Sequence, residues 1–373
     1  MTAEADVSVP LVDLSYQHAA IADDLASSWE QIIESSSYIG GAVVGRFEEA
    51  FAAFCRIRHC VAVANGTDAL ELCLRAAEVA PGDEVILPTN SFVATAFAVS
   101  RAGARPILVD ADESTLLIDP AGVARAITTK TRAVIPVHLF GQLAPTELIQ
   151  EVIGPGVTLI EDAAQAHGAT RFGSSPGTTG VAAAMSFYPS KNLGAYGDAG
   201  AILTRSDEFA ARLRALRNYG GDAKNVHPLM GFNSRLDSLQ AAVLLAKLSH
   251  LSEWNEQRRR AAAYYDELLR PYTNIVPVPA LAGNHHVWYV YVVRVANRDQ
   301  VLERLKEERI GAAVHYPTPI HLQPPFRRLG YSEGDFPKAE AAAKQILSLP
   351  LSPGITKEQQ QRVVTELVKA SDG

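Results

Sequence analysis

Cysteine, tryptophan and methionine each occur only three times in 373 residues, and basic residues are outnumbered by acidic ones, 34 to 41. Each shortage excludes something. The three cysteines, Cys55, Cys60 and Cys73, are an odd number crowded into one stretch, which excludes a disulfide framework and fits no common zinc spacing. They are expected to be small buried apolar residues in a reducing compartment. No run of about 18 apolar residues is present, so no helix is expected to span a bilayer. The net charge of -7 argues against a nucleic-acid or anionic-membrane surface, and any phosphate must be held by local groups. The opening residues include Glu4 and Asp6 with no basic-then-apolar segment, which leads to the expectation of a cytoplasmic protein. A G-x-G-x-x-G run after a first strand is missing, against a nicotinamide-dependent oxidoreductase.

What is present is ordinary for a globular enzyme: 47% hydrophobic and 20% charged residues. The length exceeds one small core and suggests two packed lobes. Between about residues 40 and 245, short apolar runs alternate with amphipathic ones. Strands are expected at Val61–Ala64, Glu84–Leu87, Pro106–Val109, Ala133–Val137, Thr158–Glu161, Ala184–Phe187 and Ala201–Thr204. Thr67 is read as the cap of a helix whose Leu70, Cys73, Leu74 and Ala77 share one face, and Asp119 as a cap before Pro120. Strands alternating with helices imply βαβ crossovers, hence an α/β fold on a largely parallel sheet. From Asp237 a long helix is expected to reach about Arg270, its Arg258-Arg259-Arg260 run forming a solvated face. His286–Arg294 then reads as an apolar strand, and Asp299 as the cap of a short helix. The chain is therefore divided into 1–245, an N-terminal segment and a large domain, and 246–373, a long linking helix and a small C-terminal α/β domain.

Three loops carry chemistry, each just after a strand, where open α/β sheets place their ligands. Asn65-Gly66-Thr67-Asp68 offers a glycine and the free N–H groups of a helix start, which suit a phosphate or simply a tight turn. Glu161-Asp162 closes an apolar strand, where carboxylates are costly unless paired; Asp162 either caps a turn or sits beneath a positively charged ring. Lys191, boxed between Pro189 and Gly194 after another strand, is either an ordinary lysine or a nucleophile made usable by burial. A phosphate cradle, an aspartate and a lysine on successive strand ends are the parts a pyridoxal phosphate site requires, and Phe92 is placed to stack on such a ring. Gly173-Ser174-Ser175-Pro176-Gly177 fits the nucleophile-elbow pattern, but it lacks the strand before and the helix after that a hydrolase needs.

The ordered run of EDAAQAHG, SFYPSKNLGAYGDAGA, NYGG and GFNSRLDSLQAA, with PLVDL near the start and HYPTPIHLQ and LSLPLSP near the end, resembles the sugar aminotransferases of the DegT/DnrJ/EryC1/StrS family. The resemblance covers nearly the whole chain. It implies an aspartate-aminotransferase-like fold (fold type I), pyridoxal phosphate as cofactor, and a homodimer with active sites at the interface. By position, Lys191 would be the Schiff-base lysine, Asp162 the partner of the ring nitrogen, Gln165 a neighbour of the ring hydroxyl and Phe92 the stacking aromatic. Gly66, Thr67 and Ser186 match phosphate contacts, and Asn233 and Arg235 match the segment that reaches the phosphate from the other subunit. Lysine rather than histidine at 191 implies amino transfer, from L-glutamate to a nucleotide-linked keto-sugar. The segment His315–Gln323 resembles enzymes that aminate C3 of a dTDP-linked 3-keto-6-deoxyhexose, so His315, Tyr316, His321 and Tyr188 are expected to face the sugar. C4 amination, an inosose acceptor and an amino-acid aminotransferase are the alternatives.

Overall fold

The structure is a computed structural model that describes residues 8–221 and 225–372; the acidic opening at Glu4 and Asp6 lies outside them. Twelve strands follow in chain order: β1 (His59–Val63), β2 (Glu84–Pro88), β3 (Arg105–Val109), β4 (Thr131–Val134), β5 (Thr158–Asp162), β6 (Thr170–Arg171), β7 (Ala182–Ser186), β8 (Gly200–Thr204), β9 (Ile275–Pro277), β10 (Asn284–His285), β11 (Tyr291–Val295) and β12 (Ile346–Leu349). The helices are α1 (Ser15–Glu34), α2 (Gly41–Cys55), α3 (Gly66–Ala76), α4 (Val93–Arg101), α5 (Pro120–Ala126), α6 (Thr146–Val152), α7 (Asp207–Leu216), α8 (Ser238–Leu248), α9 (Leu251–Leu269), α10 (Arg298–Glu307), α11 (Pro337–Gln345) and α12 (Lys357–Ser371).

All seven strands expected in the first part of the chain belong to one seven-stranded sheet of order β1-β8-β7-β5-β4-β2-β3. Its pairings are parallel from β3 through β7, while β8 runs antiparallel to both β7 and β1. β8 thus opposes the other six, and the carboxyl ends of β1, β2, β5 and β7 meet along one edge. Both faces are covered, as the alternation of side chains on a strand demands. Cys60, Ala62, Ala183, Met185, Ala201 and Leu203 join the core beneath α1, α2 and α8. Val61, Val63, Ala182, Ala184 and Ile202 join the core beneath α3, α4 and α7. The three cysteines are buried and unpaired.

The smaller lobe is built on the antiparallel sheet β12-β11-β9, against which Ala262, Tyr265 and Leu269 of α9, Val301 and Leu305 of α10 and Val363 and Leu367 of α12 are buried. Among the described residues no helix is long and apolar enough to cross a membrane.

Several local expectations are corrected. The cap of α3 is Asn65, whose side chain accepts from Asp68 N at 2.9 Å, so Thr67 already lies inside the helix. The expected long helix is two, α8 and α9, broken at Ser249 and His250. The division drawn at residue 245 therefore falls inside α8, whose Ala241, Val243 and Leu244 are buried in the large-lobe core. Of the run His286–Arg294, only Tyr291 onward joins a sheet; Val287 N and Tyr289 N instead donate to Gly141 O and Phe140 O, and Trp288 takes a positive φ of 47°. Asp299 does not cap α10, which starts after Asn297; its carboxylate accepts from Arg298 Nε at 2.7 Å. Arg258 is not on a solvated face. It is 1% exposed and donates to the carbonyls of Leu351 at 3.0 Å and Trp288 at 3.4 Å, and burial pushes its guanidinium down to about 10.

Candidate active site

The loops after β1, β2, β5 and β7 enclose a cavity of about 560 Å³. Ten of the expected site residues line it: Gly66, Thr67, Phe92, Asp162 and Gln165, then Ser186, Tyr188, Lys191, His315 and Tyr316.

One end is an anion cradle. Gly66 and Thr67 are the first two residues of α3, so their N–H groups have no acceptor within the helix and carry its positive dipole end. A Cβ on Gly66 would lie 2.6 Å from Ser186 Cβ, so glycine is what lets this turn close against β7. The Thr67 and Ser190 hydroxyls, also on the cavity wall, have no hydrogen-bond partner among the described residues.

The other end is a buried carboxylate. Asp162 and Glu161 point to opposite faces of β5, which resolves the acidic pair. Glu161 turns into the core, where its Oε1 accepts from Gly180 N at 2.8 Å and its Oε2 lies 2.8 Å from His138 Nε2. His138 Nδ1 accepts from Ala144 N at 3.0 Å, so the ring proton is on Nε2 and donates to Glu161. Asp162 turns into the cavity. Its Oδ2 accepts from Thr95 Oγ1 at 2.7 Å and its Oδ1 from Ala164 N at 3.2 Å. Burial holds this carboxyl above the usual carboxylate range, opposed by those two hydrogen bonds and by the charge of Lys191.

Lys191 lines the same cavity from the loop after β7 and is 9% exposed. Its Nζ sits 4.1 Å from the centroid of the Tyr289 ring and accepts or donates no hydrogen bond among the described residues. The loop that carries it is fixed from below: Lys247, itself buried, donates from Nζ to Gly194 O at 2.7 Å, and Asn192 Nδ2 donates to Asn255 Oδ1 and to Val287 O, both at 2.8 Å. Gln165 Oε1 accepts from Phe140 N at 2.6 Å and its Nε2 donates to Tyr316 OH at 3.2 Å. Phe92 is 51% exposed at the mouth, with Tyr316 5.2 Å away between ring centroids. His315 Nδ1 bonds Ser348 Oγ at 2.8 Å, and burial, followed by the nearby Lys191 charge, pushes the imidazole down to about 4.

Three expected residues stand elsewhere. His321, expected to face the sugar, is a core residue: Nδ1 is 2.8 Å from Thr89 Oγ1 and Nε2 is 3.1 Å from Glu340 Oε1, so both nitrogens are engaged away from the cavity. Asn233 is exposed, and Arg235 donates to Asn218 Oδ1 at 3.1 Å; neither lines the cavity. Between them Ser234 anchors the segment, donating to Asp68 Oδ2 at 2.8 Å and accepting from Ala64 N at 3.2 Å. Tyr289, Thr95 and Ser91 line the cavity and were not singled out from the sequence. Thr95 carried a weak signal, a hydroxyl in an alanine-rich helix just after the Phe92 loop; Tyr289 carried none inside its apolar run. Among the described residues no three His, Cys, Asp or Glu side chains group as for a metal ion.

The model of the DegT/DnrJ/EryC1/StrS aminotransferase family matches residues 19–368. The chain belongs to this family. Among its relatives in the family, a protein of Geobacillus stearothermophilus described as a pleiotropic regulatory protein is 45% identical over 366 residues, 97% of this chain and 98% of that one. The dTDP-3-amino-3,4,6-trideoxy-alpha-D-glucose transaminase of Streptomyces venezuelae is 42% identical over 358 residues, 95% of this chain and 94% of the relative. The solved structure of DesV from S. venezuelae superposes with a TM-score of 0.95 at 40% identity, covering 98% of this chain and 99% of that one.

Proposed function

We propose that this family member is a pyridoxal-phosphate-dependent aminotransferase that moves an amino group from L-glutamate to C3 of a dTDP-linked 3-keto-6-deoxyhexose. The observation that carries the reading is the set of groups that line one cavity: an anion cradle, a buried amine and a buried carboxylate, carried at the ends of β1, β7 and β5 of one sheet. A planar ring with a phosphate at one side and a protonated nitrogen at the other needs those three. The relatives' names support a sugar nucleotide aminated at C3.

Pyridoxal phosphate, when bound, supplies a carbonyl that takes up the amino group and an electron-poor ring that stabilises charge at the adjacent carbon. Gly66, Thr67 and Ser186 would hold its phosphate. Asp162 would keep a proton on the ring nitrogen, a task suited to a largely buried carboxylate. Lys191 Nζ would be the group that holds the cofactor at rest. As a free amine it would remove the proton from Cα of the donor and later deliver one to the sugar carbon. Phe92 would cover one ring face and Gln165 would steady the ring hydroxyl. His315, held neutral by burial, and Tyr316 and Tyr188 contact the sugar as neutral hydrogen-bonding groups. Asn233 and Arg235 complete the phosphate site of a partner subunit in a homodimer.

The test is a half-reaction on the purified protein loaded with pyridoxal phosphate. dTDP-3-amino-3,6-dideoxyglucose is added to one sample, its 4-amino isomer to a second and L-glutamate to a third, and the cofactor absorbance is followed. Bleaching by glutamate and by the 3-amino sugar alone is expected. Bleaching by the 4-amino sugar instead moves the reaction to C4, and bleaching by glutamate alone removes the sugar assignment.

A further inference from the structure

One hydrogen-bonded chain at the cavity wall has no part in the account above. Thr95, in the first turn of α4, is fully buried, and its hydroxyl donates to Asp162 Oδ2 at 2.7 Å. Ser91 Oγ lies 2.9 Å from the same hydroxyl and is 3% exposed. Thr95 has a single hydroxyl proton and gives it to the carboxylate, so Ser91 must donate to Thr95. The chain therefore has one direction, Ser91 to Thr95 to Asp162, and each donor reinforces the next within a buried stretch of the cavity wall. A buried carboxylate with no such donor would rotate or take up a proton. The groups that face Asp162 are Lys191 and His138, with the Tyr316 phenol also close, and none of them hydrogen-bonds Oδ2.

Ser91 and Thr95 flank Phe92, the cap residue of α4. The loop that brings the exposed aromatic to the cavity mouth is thereby registered to the carboxylate at the cavity floor. A ring held between the two would be gripped by its face and its nitrogen through one short segment of chain.

Resting on the proposed function, we propose that Thr95, oriented by Ser91, is a positioning residue for the cofactor: it fixes the Asp162 carboxylate in the ionised, inward-facing state that a protonated ring nitrogen needs. Thr95 acts through Asp162 and touches no reacting atom.

The test reads cofactor binding and its spectrum rather than turnover. Pyridoxal phosphate is titrated into the cofactor-stripped full chain, and the absorbance of the loaded chain is then followed against pH, for the wild type, Thr95→Val, Thr95→Ser, Ser91→Ala and the Ser91→Ala/Thr95→Val double variant. Thr95→Val is isosteric and removes only the donor. It is expected to weaken binding about tenfold, the worth of one charge-assisted hydrogen bond, and to displace the pH profile of the bound cofactor. Thr95→Ser restores both. Ser91→Ala weakens binding about threefold alone and adds nothing on top of Thr95→Val, because its only route to Asp162 is through that hydroxyl. Should Thr95→Val not fold, Ser91→Ala carries the same test at smaller amplitude. Wild-type affinity and an unmoved pH profile in Thr95→Val, or in Ser91→Ala where that variant carries the test, overturn the proposal, as does failure of Thr95→Ser to restore them. A wild-type chain that does not hold pyridoxal phosphate at all overturns the proposed function, and this role with it.

Discussion

Replacing Glu161 by alanine removes the acceptor of two buried donors at once, His138 Nε2–H and Gly180 N–H, each at 2.8 Å. Both donors are buried, and neither has a second acceptor within reach among the described residues. An orphaned buried donor costs about 1–3 kcal/mol, so the pair comes to roughly 4 kcal/mol, in line with about 3–5 kcal/mol for breaking a buried pair from one side. For a chain of this size that is a fall in Tm of about 8 °C, at roughly 2 °C per kcal/mol. Glu161→Gln keeps one acceptor oxygen and should lose about half as much. The carboxylate faces away from the cavity, so activity per folded molecule, measured well below Tm, should stay within about twofold of wild type, far from the loss of 100-fold or more that removing an acid–base group causes. The neighbouring Asp162→Asn should do the opposite: it relieves a buried charge, leaves Tm where it was or higher, and lowers activity about 100-fold or more. Thermal unfolding followed by circular dichroism, paired with the half-reaction rate at 25 °C, reads both. A Tm change under about 2 °C in Glu161→Ala, or a loss of activity there without a loss of stability, would refute the assignment of the two carboxylates to opposite faces.

Three other outcomes follow from the geometry. Gly66→Ala places a methyl 2.6 Å from Ser186 Cβ and 3.2 Å from Ser186 Cα; it should cost about 1–3 kcal/mol of stability and weaken pyridoxal phosphate binding about tenfold or more, and unchanged binding would show that the cradle is not there. Tyr289→Leu removes the ring under Lys191 and should slow the half-reaction by about tenfold, for a contact worth roughly 1–2 kcal/mol; Tyr289→Phe keeps the ring and should stay within about threefold of wild type, whereas equal losses would assign the effect to the hydroxyl. Burial pushes His167 and His286 down to about 3 and His315 to about 4. Between those values and about 6.5, the unfolded chain binds protons that the folded chain refuses. Stability is therefore full above about pH 6.5 and falls as the pH drops, by about 2 kcal/mol for each histidine between pH 7 and pH 5. Tm measured across that range should decline steadily toward acid, and a flat profile would show that these imidazoles are not buried neutral.

The sheet was legible because its strands are short apolar or alanine-rich runs closed by loops of distinctive composition. A phosphate turn, an acidic pair and a boxed lysine are visible as local strings, and their motif order pointed to the family. Partners brought together by folding were not visible. Nothing near Glu161 marks His138 as its donor, and the choice between the two readings of Asp162 turned on which face of β5 its carboxylate took. His315 and His321 share one motif, yet one lines the cavity and the other is closed off by Thr89 and Glu340. Tyr289 reads as one more apolar residue of a strand until the chain leaves the ladder to pair with Phe140 and Gly141. The long helical period across Ser249 and His250 carries no breaker such as proline or glycine, so its interruption was hidden as well.

The run Arg258-Arg259-Arg260 bears on how this chain's surface can be re-charged. Arg260 is exposed, Arg259 is half-buried and paired with Glu256 at 2.8 Å, and Arg258 is in the core, joining α9 to the backbone at Trp288 and Leu351. Only Arg260 is a free site for charge. Exchanging Arg259 removes an ion pair, and exchanging Arg258 for lysine puts a point charge where one guanidinium nitrogen, Nη1, donates to two carbonyls. A redesign that treats the three as one basic patch would alter solubility at one position and loosen the hold of α9 on the backbone at Trp288 and Leu351 at another.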